Sequence, residues 1–206
     1  MANPAPGYVK NPERDIHFEK SPRRVRVKSG GEWIADSTEM VLMYESGHLP
    51  VYYFPLKDVR LDLLHPTDHT SYCQYKGEAS YWSIEAGSKT SENAVWAYQE
   101  PYDEMTAIDL QDYCAFYWDR VDQWFEEDEE IFVHARDPHK RIDTVPSSRA
   151  VKVVLGGETV AESTRAHFLF ETGLPTRYYI PAEDVRMDLL TPSDSHTSCP
   201  YKGTSS

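Results

Sequence analysis

The sequence contains few cysteines: only Cys73, Cys114 and Cys199, widely spaced and with no Cys-x-x-Cys pair. An odd number of widely spaced cysteines argues against a disulfide framework and favours reduced thiols inside a cell. Without a Cys-x-x-Cys pair, the chain also lacks the usual thiolate set of a structural zinc site. We therefore expect a cytoplasmic protein that needs neither a metal nor a cofactor.

Long hydrophobic runs are absent as well. No stretch approaches the roughly 18 to 20 apolar residues that span a bilayer. The N-terminal segment, MANPAPGYVK, has no apolar core that would serve as a signal peptide. These absences predict no membrane partner and support the cytoplasmic location.

Positive charge is scarce, because 21 Lys and Arg residues stand against 34 Asp and Glu residues, for a formal net charge of −13. Nucleic-acid binding depends on clustered Lys and Arg that displace the counterions of the phosphate backbone, so we expect no nucleic-acid partner. The chain also lacks the glycine-rich phosphate cradle of P-loop or Rossmann proteins, which argues against a nucleotide-driven enzyme.

What the chain does have is an internal repeat. A shift of 126 positions aligns residues 11–80 with residues 137–206. About thirty of these roughly seventy positions are identical, where chance would give about four. We therefore predict two modules, 11–136 and 137–206.

The second module ends where the first continues for about 56 further residues. Either the natural chain is longer, or the half-module is completed by packing on the first module or on a second chain. We favour a longer natural chain, because a half-module would expose strand edges and an apolar face. The expected state is a monomer or a homodimer in which the two copies pack together.

Residue patterns predict a mainly β fold, a β-rich α+β module with short helical turns. Apolar and polar residues alternate at 25–28, Gly30 and Gly31 supply a tight turn, and 33–35 return, which predicts a hairpin. Residues 51–54 form an aromatic strand bounded by prolines, whereas the apolar run at 40–44 is ambiguous.

Further residue patterns predict the remaining elements of the first module. Residues 56–60 can form one helical turn, and an extended run at 59–64 would place Arg60 and Asp62 on one face. Strands are predicted near 80–84, 94–98 and 113–118. A turn at Asp119-Arg120 would join the last of these strands to 121–125 as a second hairpin.

A series of short motifs runs through the chain, most of them twice. In the first module they are Gly31-Glu32, Tyr53-Phe54-Pro55, Asp58-Val59-Arg60, Asp62-Leu63-Leu64, Cys73 and Tyr75-Lys76-Gly77. In the second they are Gly157-Glu158, Tyr178-Tyr179-Ile180-Pro181, Asp184-Val185-Arg186, Asp188-Leu189-Leu190 and Cys199-Pro200-Tyr201-Lys202-Gly203. This series resembles the DUF427 family over nearly the whole chain. The resemblance implies a compact, mainly β module, often present in tandem and similar to β-tent folds, and it implies no established activity.

The Cys-x-Tyr-Lys-Gly motif at residues 73–77 is the first candidate for chemistry. A nearby cation or histidine favours the nucleophilic thiolate, and Cys73 has His69 four residues before it and Lys76 three residues after it. A lysine can also act as a general base or clamp a carboxylate. The alternative is a small, buried cysteine beneath a structural corner.

Charged and aromatic residues supply further candidates. Arg60 and Asp62 can bind an anionic ligand and orient a base, or can form a structural ion pair. Tyr53, Trp82 and Trp96 combine apolar bodies with polar tips, as ligand pockets do, although a β-rich core uses the same residue types.

We expect each complete module to bind a small, anionic metabolite in an aromatic-lined pocket. Acid–base or cysteine-dependent catalysis would use Cys73, Lys76, Asp62 and His69. The predicted ligand contacts are Arg60, Tyr53, Trp82, Trp96, Arg186, Lys202 and Cys199. The alternative is a non-catalytic structural or protein-interaction module, in which Cys-x-Tyr-Lys-Gly is only a corner.

Overall fold

The computed structural model describes residues 2–205, and strands dominate it, which confirms the mainly β class. The chain divides into two compact units. Unit 1 contains the chain up to Ala135 together with Ser198–Gly203, and unit 2 contains Arg136–Thr197 with the residues after Gly203. Because Ser198–Gly203 lies in the second predicted module but clusters with unit 1, the module limits 11–136 and 137–206 stay predictions.

Short strands and single helical turns alternate along unit 1. The strands are β1 (Ile16–Lys20), β2 (Val25–Ser29), β3 (Glu32–Ser37), β4 (Val41–Glu45), β5 (Val51–Pro55), β6 (Leu64–Cys73), β7 (Gly77–Ala86), β8 (Lys89–Ala97), β9 (Tyr113–Phe116), β10 (Gln123–Glu126) and β11 (Glu129–Ile131). The helical pieces are α1 (Gly7–Lys10) and the 3-10 turns Leu56–Asp58, Leu61–Leu63, Asp103–Met105, Leu110–Asp112 and Trp118–Arg120.

The strands of unit 1 form two antiparallel sheets. The larger sheet has the order β1-β4-β5-β9-β8-β7-β6, and the smaller has the order β11-β10-β2-β3. The predicted hairpin at 25–35 is confirmed as β2 and β3. Its turn needs glycine, because Gly30 and Gly31 have φ angles of +58° and +86°.

Two apolar cores lie on opposite faces of the larger sheet, because successive residues of a strand point to opposite faces. The first core fills the space between the two sheets, where Val27 and Trp124 of the smaller sheet meet Phe54 of the larger. The second core contains Tyr53 and is closed by Met105 from the connection between β8 and β9. This division decides which predicted site residues can meet.

The second predicted hairpin is wrong. Strand β9 pairs with β5 and β8, whereas β10 pairs with β2 and β11. The 3-10 turn at Trp118–Arg120 carries the chain from one sheet to the other instead. Phe116 and Trp124, with ring centres 6.2 Å apart, both fill the core between the sheets. Burial of both rings outweighs the local pairing that the turn pattern favours.

The chain after Pro55 only partly follows the prediction. A helical turn forms at Leu56–Asp58 as expected, but the extended run at 59–64 is wrong, since a second 3-10 turn occupies Leu61–Leu63. Between these turns, the Arg60 backbone N–H donates to the Ile34 carbonyl at 2.8 Å and ties the segment to β3. The ambiguous run at 40–44 belongs to strand β4.

Unit 2 has the same element order at positions 126 residues later. Its strands are β12 (Ile142–Pro146), β13 (Val151–Leu155), β14 (Glu158–Ser163), β15 (His167–Glu171) and β16 (Arg177–Tyr179), followed by 3-10 turns at Ala182–Asp184 and Met187–Leu189. The sheets are β12-β15-β16 and β13-β14. A last pair of strands, β17 (Thr197–Cys199) and β18 (Gly203–Ser205), follows. Within residues 2–205, no helix has the length and apolar character needed to cross a membrane.

Candidate functional site

The corner between β6 and β7 contains the Cys-x-Tyr-Lys-Gly motif and is built as a tight turn. The Lys76 backbone N–H donates to the Cys73 carbonyl at 3.3 Å, and Gly77 has a φ of +107°. The side chains of Tyr75 and Lys76 are both buried. Glycine is required at the end of this turn because other residues rarely adopt its backbone conformation.

A carboxylate from strand β4, that of Glu45, forms ion pairs at this corner. The Lys76 ammonium donates to Glu45 Oε2 at 2.5 Å, and the Arg14 guanidinium donates to Glu45 Oε1 at 2.6 Å. Arg14 also lies over the Tyr75 ring, 5.5 Å from its centre. Burial disfavours ionisation of Glu45, but the hydrogen bonds from Lys76 and Arg14 outweigh burial, so the pKa of Glu45 lies below its usual value. Lys76 is therefore an engaged cation within a structural ion-pair cluster.

The predicted cysteine–histidine pair is separated along one strand. Cys73 and His69 both lie in β6, and the regularly paired residues Thr70–Cys73 already span about 10 Å of strand. Cys73 is half-buried against the second core, and His69 is exposed with its ring edge on Tyr81, 4.4 Å between ring centres. At that spacing His69 does not reach the Cys73 thiol to accept its proton.

Arg60 and Asp62 form a local, exposed ion pair. Arg60 Nε donates to Asp62 Oδ1 at 2.8 Å, and a second guanidinium nitrogen donates to Oδ2 at 2.7 Å. Arg186 and Asp188 repeat this fork in unit 2, at 2.8 Å and 2.6 Å. Each arginine thus already binds a carboxylate. This arrangement matches the second of the two alternatives given above, a structural ion pair.

The predicted aromatic residues lie on two different faces. Trp96 faces the second core, where its indole N–H donates to the Tyr53 hydroxyl at 3.4 Å. Tyr53 is buried, so it contributes to the core and presents no surface to solvent. Trp82 lies on the other face, packed against the first core. The expectation that Tyr53, Trp82 and Trp96 wall one pocket is therefore wrong.

A cavity of about 230 Å³ opens beside Trp82. Its walls come from strands β6, β7, β8 and β9, from the two 3-10 turns after Pro55 and from the connection between β8 and β9. The lining side chains are Leu56, Leu61, Leu64, Trp82, Val95, Ala97, Gln99, Gln111 and Cys114. Alternation along strand β8 explains which of its residues line the cavity. Val95 and Ala97 lie on the cavity face of the larger sheet, whereas Trp96 between them lies on the opposite face.

The polar groups of the cavity are few and uncharged. Gln99 and Gln111 are exposed side chains of the lining, and the Gln99 side-chain oxygen accepts a hydrogen bond from Ser80 at 3.1 Å. Cys114 lies in the wall and is buried. Burial raises the pKa of the Cys114 thiol to about 12, so it is protonated at neutral pH and is no nucleophile.

Of the predicted site residues, Trp82 is the one in the described chain that lines this cavity. Cys73, Lys76 and Arg60 lie elsewhere, so the single shared pocket expected from the sequence does not form. In the second corner, Cys199 is half-buried and Lys202 is exposed. Catalytic or ligand-binding roles for all of these residues, with Asp62, His69 and Arg186, stay predictions.

Several cavity residues were missed by the sequence interpretation. The sequence pattern places Leu61 in an extended run, and Gln99 and Gln111 belong to no motif. The sequence does contain a signal for Cys114. It lies two residues before Phe116 on one strand, so both side chains point to the same face, which packs on the first core. Within residues 2–205, no three His, Cys, Asp or Glu side chains are placed to hold a metal ion.

Comparison with known proteins places the chain in a family without assigning it an activity. No curated protein matches the sequence. A family model described as a domain of unknown function, DUF427, matches residues 17–127 and 143–206. These two segments cover most of the chain and include both Cys-x-Tyr-Lys-Gly corners. The chain therefore belongs to the DUF427 family.

Proposed function

We propose that unit 1 binds a small, uncharged molecule in the cavity beside Trp82. The observation that carries this proposal is the mostly apolar lining of a cavity of about 230 Å³. An apolar cavity of about 150 Å³ already admits benzene. The volume thus suits a ligand with a single ring, and the Trp82 indole offers an aromatic surface against which that ring packs.

The lining explains why the proposed ligand is uncharged. The cavity wall contains no Lys, Arg, Asp or Glu among the described residues, and its lining residues with polar side-chain groups are Gln99, Gln111, Trp82 and Cys114, whose thiol is protonated. Burial of an ion without a partner of opposite charge is strongly unfavourable. The sequence-based expectation of an anionic ligand rested on Arg60 and Lys76, which bind Asp62 and Glu45 instead. An amide, hydroxyl or carbonyl group would match Gln99 and Gln111.

Binding without catalysis is the activity that this geometry supports best. None of the described residues that line the cavity is an activated nucleophile, and the candidate base and cations lie outside this lining. We further propose that the chain is a tandem pair of DUF427 modules with a cytoplasmic location. The recurrence of strand limits 126 residues apart supports the first point, and the free thiols of Cys73, Cys114 and Cys199 support the second.

The matched substitutions Trp82→Phe and Trp96→Phe test the proposal. Both remove an indole from a partly buried position of the larger sheet, on opposite faces. For any uncharged single-ring compound that stabilises the wild type in a thermal-shift screen, we expect Trp82→Phe to weaken the affinity about tenfold, since it removes aromatic contact with the ligand. Trp96→Phe should leave the affinity unchanged.

Isothermal titration of both variants with the same compound supplies the measurement. Equal affinities for wild type and Trp82→Phe, in a variant that unfolds at the wild-type temperature, would place the ligand elsewhere. A loss of affinity in Trp96→Phe alone would move the site to the opposite face of the sheet.

A further inference from the structure

The proposed binding cavity has a buried floor and an exposed rim. Among its lining residues, Val95 and Cys114 are each 1% exposed, whereas Leu61 is 50% exposed. The side chains of Gln99 and Gln111 are exposed as well. A residue that lines a cavity and is also exposed lies where the cavity meets solvent. Leu61, Gln99 and Gln111 therefore border the opening of the cavity.

The floor and the rim differ in how firmly the fold holds them. Val95 and Cys114 belong to strands β8 and β9, and each of these strands pairs with a neighbour on both sides. Leu61 begins the 3-10 turn Leu61–Leu63, in which no residue is buried. A segment with few buried apolar contacts opens at a lower free-energy cost than the central strands of a sheet. This turn is therefore a part of the cavity wall that moves at low cost.

An ion pair closes across the start of this turn. Arg60 precedes Leu61 and Asp62 follows it, and their side chains form a fork of two hydrogen bonds, at 2.8 Å and 2.7 Å. The Arg60 backbone is itself anchored, because its N–H donates to the Ile34 carbonyl at 2.8 Å and its carbonyl accepts from the Leu63 N–H at 3.0 Å. The fork thus ties the start of the turn to a backbone position held on β3.

Unit 2 repeats the fork at positions 126 residues later. Arg186 and Asp188 pair around Met187, and the Arg186 N–H donates to the Val160 carbonyl at 2.8 Å. The backbone before the two turns also matches, with φ and ψ of −73° and 76° at Arg60 and of −73° and 77° at Arg186. The fork recurs although the enclosed residue changes from leucine to methionine. It therefore depends on the turn and not on that side chain.

We propose that the turn Leu61–Leu63 is a gate on the cavity and that the Arg60–Asp62 ion pair controls how often it opens. The inference deepens the proposed function and rests on it, because a gate acts only on a molecule that enters the cavity. With the pair formed, Leu61 narrows the opening, and when the pair breaks, the turn loosens and lets a ligand pass. Arg60 and Asp62 are thus positioning residues that act through Leu61.

The exposure of the pair makes the gate sensitive to salt. The Arg60 and Asp62 side chains are 52% and 61% exposed, so dissolved ions screen their attraction. Higher ionic strength should therefore open the gate more often.

Alkylation of Cys114 measures gate opening without any ligand, because this thiol is buried in the cavity floor. Uncharged iodoacetamide is the reagent, at one fixed pH, and mass spectrometry of the digested full chain separates Cys114 from the other two cysteines. We expect D62N to raise the rate of Cys114 alkylation about threefold, the effect of losing one exposed ion pair. The matched control D188N makes the same change in unit 2 and should leave the rate unchanged.

Two further comparisons identify the ion pair as the cause. R60Q should raise the alkylation rate as much as D62N, and the double variant R60Q–D62N should raise it no further, because both changes remove one interaction. Salt at about 1 M should bring the wild-type rate close to that of D62N and leave D62N unchanged. Rates that rise only in proportion to a lower urea midpoint would reflect global unfolding and would overturn the gate.

Benzamide separates this inference from the proposed function. Its association and dissociation rates, followed by stopped-flow tryptophan fluorescence, should both rise about threefold in D62N with little change in affinity, because a gate affects passage in both directions. Benzamide binding with equal rates and equal Cys114 alkylation in wild type and D62N would overturn the gate and leave the proposed function standing. Faster alkylation in D62N without benzamide binding would support the gate and contradict the proposed function.

Discussion

Replacement of Glu45 by alanine is expected to destabilise unit 1 by about 3 kcal/mol, the cost of removing one partner from a buried ion pair. The Glu45 side chain is 9% exposed and binds both Lys76 and Arg14. Without it, two cations remain in a buried corner with no carboxylate between them. Urea unfolding followed by tryptophan fluorescence measures the effect on unit 1, because all five tryptophans lie there.

The matched control is Glu39→Ala. Glu39 also pairs with a lysine, Lys57, but both side chains are largely exposed, and solvent screens such pairs. We expect Glu39→Ala to leave the urea midpoint nearly unchanged. Equal effects of the two substitutions would contradict the structural role assigned to the corner.

The same cluster predicts a pH dependence. The pKa of Glu45 is lower in the folded protein than in the unfolded chain. Its ion pairs therefore contribute fully to folding stability above a pH of about 4.5, and this contribution is lost as the pH falls through the folded-state pKa. The stability difference between wild type and Glu45→Gln should therefore be constant near neutral pH and shrink in acid. A difference that grew on acidification would contradict the ion-pair assignment.

Replacement of Gly30 by alanine is expected to lower the free energy of unfolding of unit 1 by about 3 kcal/mol. A Cβ atom at Gly30 would lie 2.0 Å from the backbone oxygen of Ala86, so the two turns that meet there would have to separate. The positive φ of Gly30 adds strain for any residue with a side chain. Urea unfolding monitored by tryptophan fluorescence again provides the measurement.

Gly156→Ala separates these two causes. Gly156 occupies the equivalent turn with a φ of +59°, but an added Cβ would meet no atom within 4 Å. Replacement of Gly156 by alanine should therefore add only the conformational strain and lower the free energy of unfolding by about 1 kcal/mol. Unfolding followed by circular dichroism measures this change. Similar losses at Gly30 and Gly156 would show that contact with Ala86 contributes nothing.

Sequence reasoning succeeded where structure is set by neighbours along the chain. The β2–β3 hairpin follows from alternation around Gly30 and Gly31. It failed where distant segments compete. Strands β9 and β10 join different sheets because Phe116 and Trp124 share a core, which no local turn pattern reveals.

The candidate site shows the same limit. The sequence brings Cys73, His69 and Lys76 within a few positions, but an extended strand separates the first two, and a glutamate 31 residues away binds the third. Conversely, the cavity joins Leu61, Gln99 and Cys114 from three distant segments. Among the aromatic candidates, strand alternation alone separates Trp82 from Trp96, once the pairing of β7 with β8 is known.

The most direct test of ligand binding in unit 1 compares two probes of nearly equal shape, benzamide and benzoate. Titration of each into the full chain, followed by heteronuclear NMR of the indole N–H groups, measures both affinity and position. We predict that benzamide binds and shifts the Trp82 signal, and that benzoate binds at least about tenfold more weakly, since the cavity offers its charge no partner. Tighter binding of benzoate, or no shift of Trp82 with either compound, would contradict an uncharged ligand in this cavity.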